Sequence, residues 1–512
     1  MGLLGLPPEL LSVVIDETLP CDLEAFALTC KTVYHNAASQ IRRHNALKRK
    51  WGQLDNVHPG GMIDTLSLLF EISCDPNIAY YVEHLSFRSL SEPYDPLTSL
   101  LVFPRTSEDR GFRENEDGML RVKELVLASE HLRRANVDAE GWWAKMLVDD
   151  DSEIAGESEV DDALHIMISV IGLLPNLKTL KMFTGWDIVP SSEGSATCKD
   201  MISVTKSILQ CAQDSLDRVI PLGKLETILP FTKRAGYDVR APLQCLEPFM
   251  TLTSLREIFA VSCISVDDGY TGIPFHWSSQ LNSQLRRLEL AHCCIDADGL
   301  AALTSHTPLL EVFKYSHETK WHGCQHDWNP GTFLEAGLAT HCGTSITELA
   351  LTVDLLYGDI ENGVSSLHSF PKLGTLEVDV QVFCGPPLSS GQQLGMDAKV
   401  PDGDTPWKTE DIPCIGSMLP ESIYKVYINT HGDMRPLESL VKDIRYQRES
   451  RLQGLEKVIV RELPGDDSAL ELVKRQGIEL EILDDPDYTM DSTMMPLWKR
   501  EFDRLVGGVV NT

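Results

Sequence analysis

The sequence predicts an α/β protein: a short N-terminal three-helix region, then an irregular solenoid with a parallel sheet and long loop insertions. Two observations lead to this fold class. An apolar, proline-led segment opens the chain, and the pattern L-x-x-L-x-L recurs along most of the remainder. A hydrophobic content of 43% and a charged content of 24% over 512 residues are typical of a globular protein.

The first helix is predicted from the segment LPPELLSVVIDETL. Pro7 and Pro8 stand where a helix begins, because the N–H that proline lacks would have no partner there. An apolar stripe at helical spacing follows them, made of Leu10, Leu11, Val14 and Ile15. Asp22 is a suitable N-cap for a second helix, whose apolar positions are Leu23, Phe26, Ala27, Cys30, Val33 and Tyr34. A third, basic segment ends at Trp51.

The recurring L-x-x-L-x-L pattern predicts a series of short strands. Its last two apolar positions lie two residues apart, which places them on one face of a strand. A unit of one strand and one short helix cannot bury both of its faces alone, so neighbouring units must stack. Nine clear copies begin at Val122, Leu177, Leu255, Leu285, Leu310, Ile346, Leu373, Ile423 and Leu455, and a weaker copy begins at Val82.

Two copies align at a constant offset of 30 residues, SLREIFAVSCISVDDG from Ser254 and QLRRLELAHCCIDADG from Gln284. Cys263 then matches Cys293, and Gly269 matches Gly299. The second copy continues into an apolar helical segment after Gly299, so one unit reads as strand, tight turn and short helix. Adjacent strands of the two units are expected to pair in parallel.

Polar interruptions between the copies predict flexible loops. The stretch DDDSEIAGESEVDD, from Asp149 to Asp162, is rich in acids, and Ser89–Gly118 and Cys384–Ser417 are rich in proline, glycine and polar residues. Such segments offer little apolar surface to offset the entropy of ordering.

Two family resemblances follow from these residues. The segment from Leu285 to Leu303 is similar to a cysteine-containing leucine-rich repeat, and the start of the chain resembles an F-box. Leu6, Pro7, Glu9 and Leu10 match the F-box opening. The matching positions of the second helical region are Asp22, Leu23, Leu28, Cys30 and Lys31. The resemblances imply an F-box over residues 1–52, a degenerate repeat solenoid over 53–483 and a C-terminal tail or capping segment over 484–512.

The F-box resemblance implies the function of a substrate receptor in a cullin–RING ubiquitin ligase. Its helices would bind a Skp-type adaptor, and through it a cullin, while the repeats would bind a target protein of unknown identity. The alternative is a leucine-rich-repeat scaffold without any ligase, whose N-terminal helices only cap the first repeat. The expected adaptor-binding residues are Leu6, Pro7, Glu9, Leu10, Val14, Ile15, Leu23 and Leu28.

The expected target-binding residues follow from the alternation of side chains along a strand. Residues flanking the last strand leucine point away from the apolar face, so parallel stacking lines them up on a concave sheet surface. Aromatic residues dominate binding hot spots. The set is Phe259, Arg287, Glu289, Lys314 and Tyr427.

Charge and motifs exclude several other functions. A net charge of −31 makes nucleic acid and anionic membranes poor partners. The sequence has no export signal, which favours a cytoplasmic or nuclear location. It has no nucleotide-binding, serine-hydrolase or metalloprotease motif, so neither enzymatic activity nor a cofactor is expected. His317, His322, Cys324 and His326 raise the question of a zinc site, but one cysteine without a paired partner argues against it.

Overall fold

The structure is a computed structural model. It describes residues 6–55, 65–86, 116–147, 158–181, 186, 196–214, 219–232, 234–269, 271–321, 324–430, 434–462, 475–482, 495–507 and 510–511. By its internal contacts the chain divides into two compact units, Met1–Phe231 with Leu252–Leu255, and Thr232–Thr251 with Arg256–Thr512. Both units combine helices with parallel strands, which confirms the α/β class.

The first unit is mainly helical. Its helices are α1 (Pro8–Asp16), α2 (Leu23–Ala27), α3 (Lys31–Asn36), α4 (Ala38–Trp51), α5 (Thr65–Cys74), α6 (Ile78–Tyr81), α7 (Glu116–Leu127), α8 (Glu130–Arg134), α9 (Ala139–Lys145), α10 (Ser158–Ile171) and α11 (Ala196–Asp214). Its strands are β1 (Gln53–Asp55), β2 (His84–Ser86), β3 (Thr179–Lys181) and β4 (Thr227–Leu229). These strands pair in chain order, and all pairs are parallel.

The N-terminal helices start where the sequence predicts. Helix α1 begins at Pro8 with Pro7 at the N-cap position. Asp22 precedes α2, but its side chain makes no capping hydrogen bond, and α2 ends at Ala27. The expected second helix is therefore two short helices, α2 and α3. Together α1 to α3 bury a small core of their own, made of Leu11, Ile15, Leu23, Ala27, Val33 and Ala37.

The second unit is built on a larger parallel sheet. Its strands are β5 (Arg234–Ala235), β6 (Ala241–Pro242), β7 (Glu257–Val261), β8 (Cys263–Ser265), β9 (Arg287–Ile295), β10 (Val312–Glu318), β11 (Glu348–Leu355), β12 (Thr375–Asp379), β13 (Lys425–Asn429), β14 (Lys457–Glu462), β15 (Glu479–Ile482) and β16 (Val510–Asn511). Neighbours follow the order β7-β9-β10-β11-β12-β13-β14-β15, β8 pairs with β6 and β9, and β16 pairs with β5.

The helices of the second unit are mostly short. They are α12 (Glu247–Met250), α13 (Ala297–Thr304), α14 (Pro330–Thr332), α15 (Thr340–Cys342), α16 (Ile415–Met418), α17 (Met434–Val441), α18 (Ile444–Ser450) and α19 (Leu497–Val506). A π-helical stretch, Phe333–Ala339, joins α14 to α15, and 3-10 turns span Leu243–Leu246, Val380–Phe383, Leu388–Ser390 and Thr409–Asp411.

The pairing of β7 with β9 confirms the alignment of the two repeat copies. Ile258 pairs with Leu288 and Val261 with Ala291, so the register keeps the offset of 30 residues. The backbone N–H of Cys263 also donates to Cys293 Sγ at 3.2 Å. The matching positions Ser262, which follows β7, and His292, which lies within β9, have the same left-handed backbone, with φ of 54° and 56°. The two copies are therefore similar in backbone conformation as well as in sequence.

Most copies of the pattern lie on strands, but the first does not. The copy at Val122 lies in α7, where Val122 and Val126 are buried one turn apart. Glu116 and Asp117 in the first turn of α7 favour a helix, because acidic side chains interact well with the positive end of the helix dipole. The strand prediction for this copy is wrong, since apolar residues spaced i, i+3 also suit a helix.

The segment Cys384–Ser417, expected to be a flexible loop, is an ordered connection. Asn362 Nδ2 donates to Pro386 O at 3.0 Å and to Gln392 O at 2.7 Å. Gln392 Oε1 accepts from the backbone N–H of Trp407 at 2.9 Å. Polar side chains thus order the segment together with buried apolar residues such as Ile412 and Ile415. Most of the other two predicted loops lies outside the described residues, apart from the starts of α7 and α10.

Candidate functional site

The N-terminal helices present large apolar side chains that their own small core does not use. The exposed fractions are 53% for Leu10, 56% for Val13, 79% for Leu28 and 50% for Tyr34. An isolated exposed leucine is ordinary, but large apolar residues exposed on α1, at the end of α2 and on α3 can mark a site of protein interaction. They make this end of the first unit a candidate protein-binding surface, which we term the N-terminal apolar surface.

The structure divides the predicted adaptor-binding residues between this surface and the core. Pro7, Glu9, Leu10 and Leu28 are exposed, and Leu6 and Val14 are half-buried. Ile15 and Leu23 are buried in the helical core, so they support the surface and cannot contact a partner directly. Val13 and Tyr34 are exposed apolar residues that the sequence reasoning did not select. Val13 lies outside the predicted apolar stripe of the first helix, whereas Tyr34 was placed on the stripe of the second helix and is exposed nevertheless.

Four of the predicted target-binding residues lie in one row of paired positions across the larger sheet, namely Phe259, Glu289, Lys314 and Tyr427. Arg287 lies two residues before Glu289 on β9. Phe259 pairs with Glu289, and Glu289 with Lys314. The expectation that this face is open is wrong for those three residues, because all are buried, with Phe259 only 3% exposed. Arg287 and Tyr427 are half-buried. Arg287 Nη1 and Lys314 Nζ approach Glu289 Oε1 at 2.5 and 3.4 Å, so these charges are mutually paired.

Helix α19 covers part of this sheet face. Phe502 packs against Phe259 with ring centroids 6.0 Å apart. Trp498 Nε1 donates to Thr352 Oγ1 at 3.3 Å. The sequence carries a signal for α19, since Trp498, Phe502 and Val506 recur every four residues. Nothing in that spacing indicates which sheet face the helix covers. We term the covered face, with its buried charges, the polar face.

A buried carboxylate receives the start of α19. Glu377 Oε1 accepts from the backbone N–H of Leu497 at 2.6 Å, and Oε2 accepts from that of Trp498 at 3.0 Å. First-turn N–H groups have no partner within their own helix, so Glu377 satisfies two of them. Arg461 Nη1 lies 3.5 Å from Glu377 Oε1, and its Nη2 donates to Met495 O at 3.3 Å. Burial raises the pKa of Glu377 even though these donors oppose the shift.

A second group of buried charges receives Lys499. Its Nζ lies 2.6 Å from Asp354 Oδ1 and 2.7 Å from His292 Nε2. An ammonium can only donate, so His292 Nε2 is the acceptor and the ring proton is on Nδ1, which lies 2.9 Å from Glu318 Oε2. Burial opposes ionisation of Asp354, but His292 and Lys499 hold its pKa well below its usual range.

His292, Glu318 and Asp354 could together offer three ligand atoms to a metal ion, all within 4.8 Å of one another. Their charge is already balanced, however. Lys320 Nζ lies 3.2 Å from Glu318 Oε2, and Lys499 pairs with Asp354. A divalent cation added here would leave uncompensated positive charge in a buried site, which is costly. The arrangement therefore supports an ion-pair network that binds a lysine side chain.

The histidines that raised the zinc question have separate surroundings where the structure describes them. His317 stacks on Trp328 with centroids 4.4 Å apart, and burial lowers its pKa to about 3. His326 Nδ1 lies 3.4 Å from Asp327 Oδ1. Cys324 Sγ lies 3.8 Å from Cys294 Sγ. His322 lies outside the described residues.

Comparison with known proteins leaves the chain without a family. Neither protein-family models nor curated proteins give a significant match to it. Over the described residues, no helix combines the length and the apolar character needed to cross a membrane. Two surfaces of the molecule bear on its function, the N-terminal apolar surface and the polar face.

Proposed function

We propose that the chain is a substrate-recognition subunit of a cullin–RING ubiquitin ligase. Its N-terminal helices would bind a Skp-type adaptor, and its repeat unit would bind a target protein. The observation that carries the proposal is the N-terminal apolar surface, which stands on the segment that resembles an F-box. Three short helices with a small core of their own are suited to docking, since added contacts there bury surface that is otherwise in water.

The size of the apolar contribution is sufficient for a specific contact. Burying an exposed leucine or valine contributes about 1.5–3 kcal/mol. Two or three such anchors could therefore dominate the binding energy, as hot spots do in other interfaces. Leu28, which is 79% exposed, has the most surface to lose on binding.

The alternative proposal is a repeat scaffold that binds a partner without a ligase. The ordered parallel stack supports this reading as well as it supports the first. The two differ at the N-terminal apolar surface, which a scaffold would not need to keep apolar on its outer side.

The test is co-purification of the full chain with a Skp-type adaptor. We expect wild-type chain to retain the adaptor and a Leu10→Ser, Leu28→Ser variant to lose it, because both changes remove exposed anchors without touching the core. Glu130→Ala on α8 is a matched control, since it alters another exposed side chain away from α1 to α3. Absence of adaptor from the wild-type preparation, or equal retention by the double variant, would overturn the proposal in favour of the scaffold.

A further inference from the structure

We propose that the polar face is a binding site for a helix of the target protein, and that α19 occupies this site within the chain. The helix that fits begins with an aromatic–lysine pair and carries a second aromatic residue one turn later. The proposal deepens the proposed function and rests on it only in calling the bound protein a ligase target. The polar face itself is described by contacts that do not involve the N-terminal helices.

The first element of recognition reads the start of a helix. Glu377 accepts from the N–H groups of Leu497 and Trp498, which every helix leaves without internal partners in its first turn. A carboxylate at this end also interacts favourably with the helix dipole. The contact selects a helix N-terminus in this orientation and makes no demand on side chains.

The second element of recognition is the binding of one lysine by Asp354 and His292. Lys499 Nζ reaches Asp354 Oδ1 and His292 Nε2 together, at 2.6 and 2.7 Å. His292 is fixed in place because its backbone N–H donates to Ser316 Oγ at 2.8 Å. A glutamate in place of the lysine would face Asp354 with a like charge, so the site rejects acidic side chains as well as accepting a basic one.

The third element of recognition is the binding of two aromatic residues, one helical turn apart, by Thr352 and Phe259. Trp498 donates to Thr352, and Phe502 packs against Phe259. With Lys499 between them, the pattern on the bound helix is Trp-Lys-x-x-Phe. A helix docked through residues i and i+4 on one side is a recurring mode of protein recognition.

The contacts of α19 are specific but need not be permanent. Much of the contact is made by buried charges, and the attraction within a buried ion pair is largely offset by the loss of hydration. A target helix with the same pattern could therefore take its place.

The experiment uses full-length chain in which α19 is weakened by Lys499→Glu and Phe502→Ala together. The probe is a fluorescein-labelled peptide of residues 495–507, MPLWKREFDRLVG, and its anisotropy reports binding. We expect this variant to bind the peptide, and wild-type chain, whose site is already filled, to bind it at least about tenfold more weakly. A Leu505→Ala chain is the matched control, because Leu505 is an exposed residue of α19, and it should behave as wild type.

A second peptide that carries the Lys499→Glu change tests the lysine contact. We expect its affinity for the weakened variant to fall about tenfold, since a hydrogen bond to a charged group is replaced by repulsion. If the double variant loses its circular dichroism signal, the milder Lys499→Ala chain is measured in the same way.

Three results would overturn the proposal: no peptide binding by a folded weakened chain, equal binding of the two peptides, or binding to wild type as strong as to the variant. Co-purification of the adaptor with the wild-type and variant chains is measured in the same experiment. Retention of the adaptor without peptide binding would refute this proposal alone, whereas peptide binding without the adaptor would refute only the assignment to a ligase.

Discussion

Both faces of the larger sheet contain buried side chains, but the two sets are buried by different means. One face carries apolar side chains such as Leu288, Phe313, Leu349 and Val426, all fully or almost fully buried. The other carries Glu289, Lys314, Glu377 and Arg461, which are also buried and are paired with one another or with α19. Apolar burial stabilises through area alone, whereas burial of charges stabilises only while every partner stays in place. We therefore expect the two faces to respond differently to substitution.

The largest effect is expected on the apolar face. Phe313→Ala should lower the free energy of unfolding by about 3–5 kcal/mol, because it leaves a cavity beside Tyr315 and Phe333 that the sheet cannot close. Urea denaturation followed by circular dichroism measures the change. The exposed Leu10→Ala serves as the control and should change the free energy by less than about 0.5 kcal/mol. A loss below about 1 kcal/mol for Phe313→Ala would show that the apolar face is loosely packed.

A smaller but more selective effect is expected on the polar face. Glu377→Leu removes the acceptor for two N–H groups of α19 and one of the two carboxylates that pair with Arg461, the other being Glu481 at 3.5 Å. We therefore expect a loss of about 2–3 kcal/mol. Glu377→Gln keeps the shape and one acceptor oxygen and should lose less. Unfolding of the two variants, measured side by side, gives the difference. Equal losses would mean that the carboxylate charge contributes nothing to this contact.

The third prediction concerns pH and a residue beside the polar network. Burial lowers the pKa of His317 to about 3 in the folded chain, from an unfolded value near 6.5. Below pH 6.5 the unfolded chain therefore binds a proton that the folded chain does not, and stability falls as pH decreases towards 3. The loss should approach about 1.4 kcal/mol per pH unit.

The matched variant is His317→Phe, which can still stack on Trp328 but cannot titrate. Its stability relative to wild type should rise as pH is lowered from 6.5 to 5, measured by urea denaturation at each pH. Replacement of the exposed His341 should leave the wild-type profile unchanged. Parallel profiles for wild type and His317→Phe would show that His317 gains a proton in the folded chain as readily as in the unfolded one.

The apolar face was largely predictable from the sequence, and the polar face was not. Strands β9 to β14 follow copies of the pattern, because apolar residues two apart mark a strand locally. Strand β1, Gln53–Asp55, has no copy to mark it, since only Leu54 is apolar. The burial of Phe259 depends on Phe502, more than two hundred positions later in the chain. No local pattern encodes a contact over that separation.

The candidate surfaces divide in the same way. Leu10 and Leu28 were selected from a motif and are exposed, as a binding residue must be. Lys314 was selected as an open target-binding residue because side-chain alternation points it away from the apolar face, yet Glu289 and Glu348 pair with it at 3.4 and 2.7 Å. Paired charges can be buried, and pairing across strands is set by register rather than by residue type.

Helix α19 also affects how cooperatively the strands of the larger sheet unfold. From its C-terminal end to its N-terminal end, α19 contacts Phe259 on β7, His292 on β9, Asp354 on β11 and Glu377 on β12. Arg461 on β14 binds Met495, two residues before the helix. In a stack where each strand contacts only its neighbours, the end strands can unfold before the central ones. Because α19 and the residues just before it contact strands from β7 to β14, these strands should unfold together. Amide hydrogen exchange should therefore be slow and nearly uniform from β7 to β14. Weakening the contacts of α19 should make amide exchange faster in the edge strands than in the central strands.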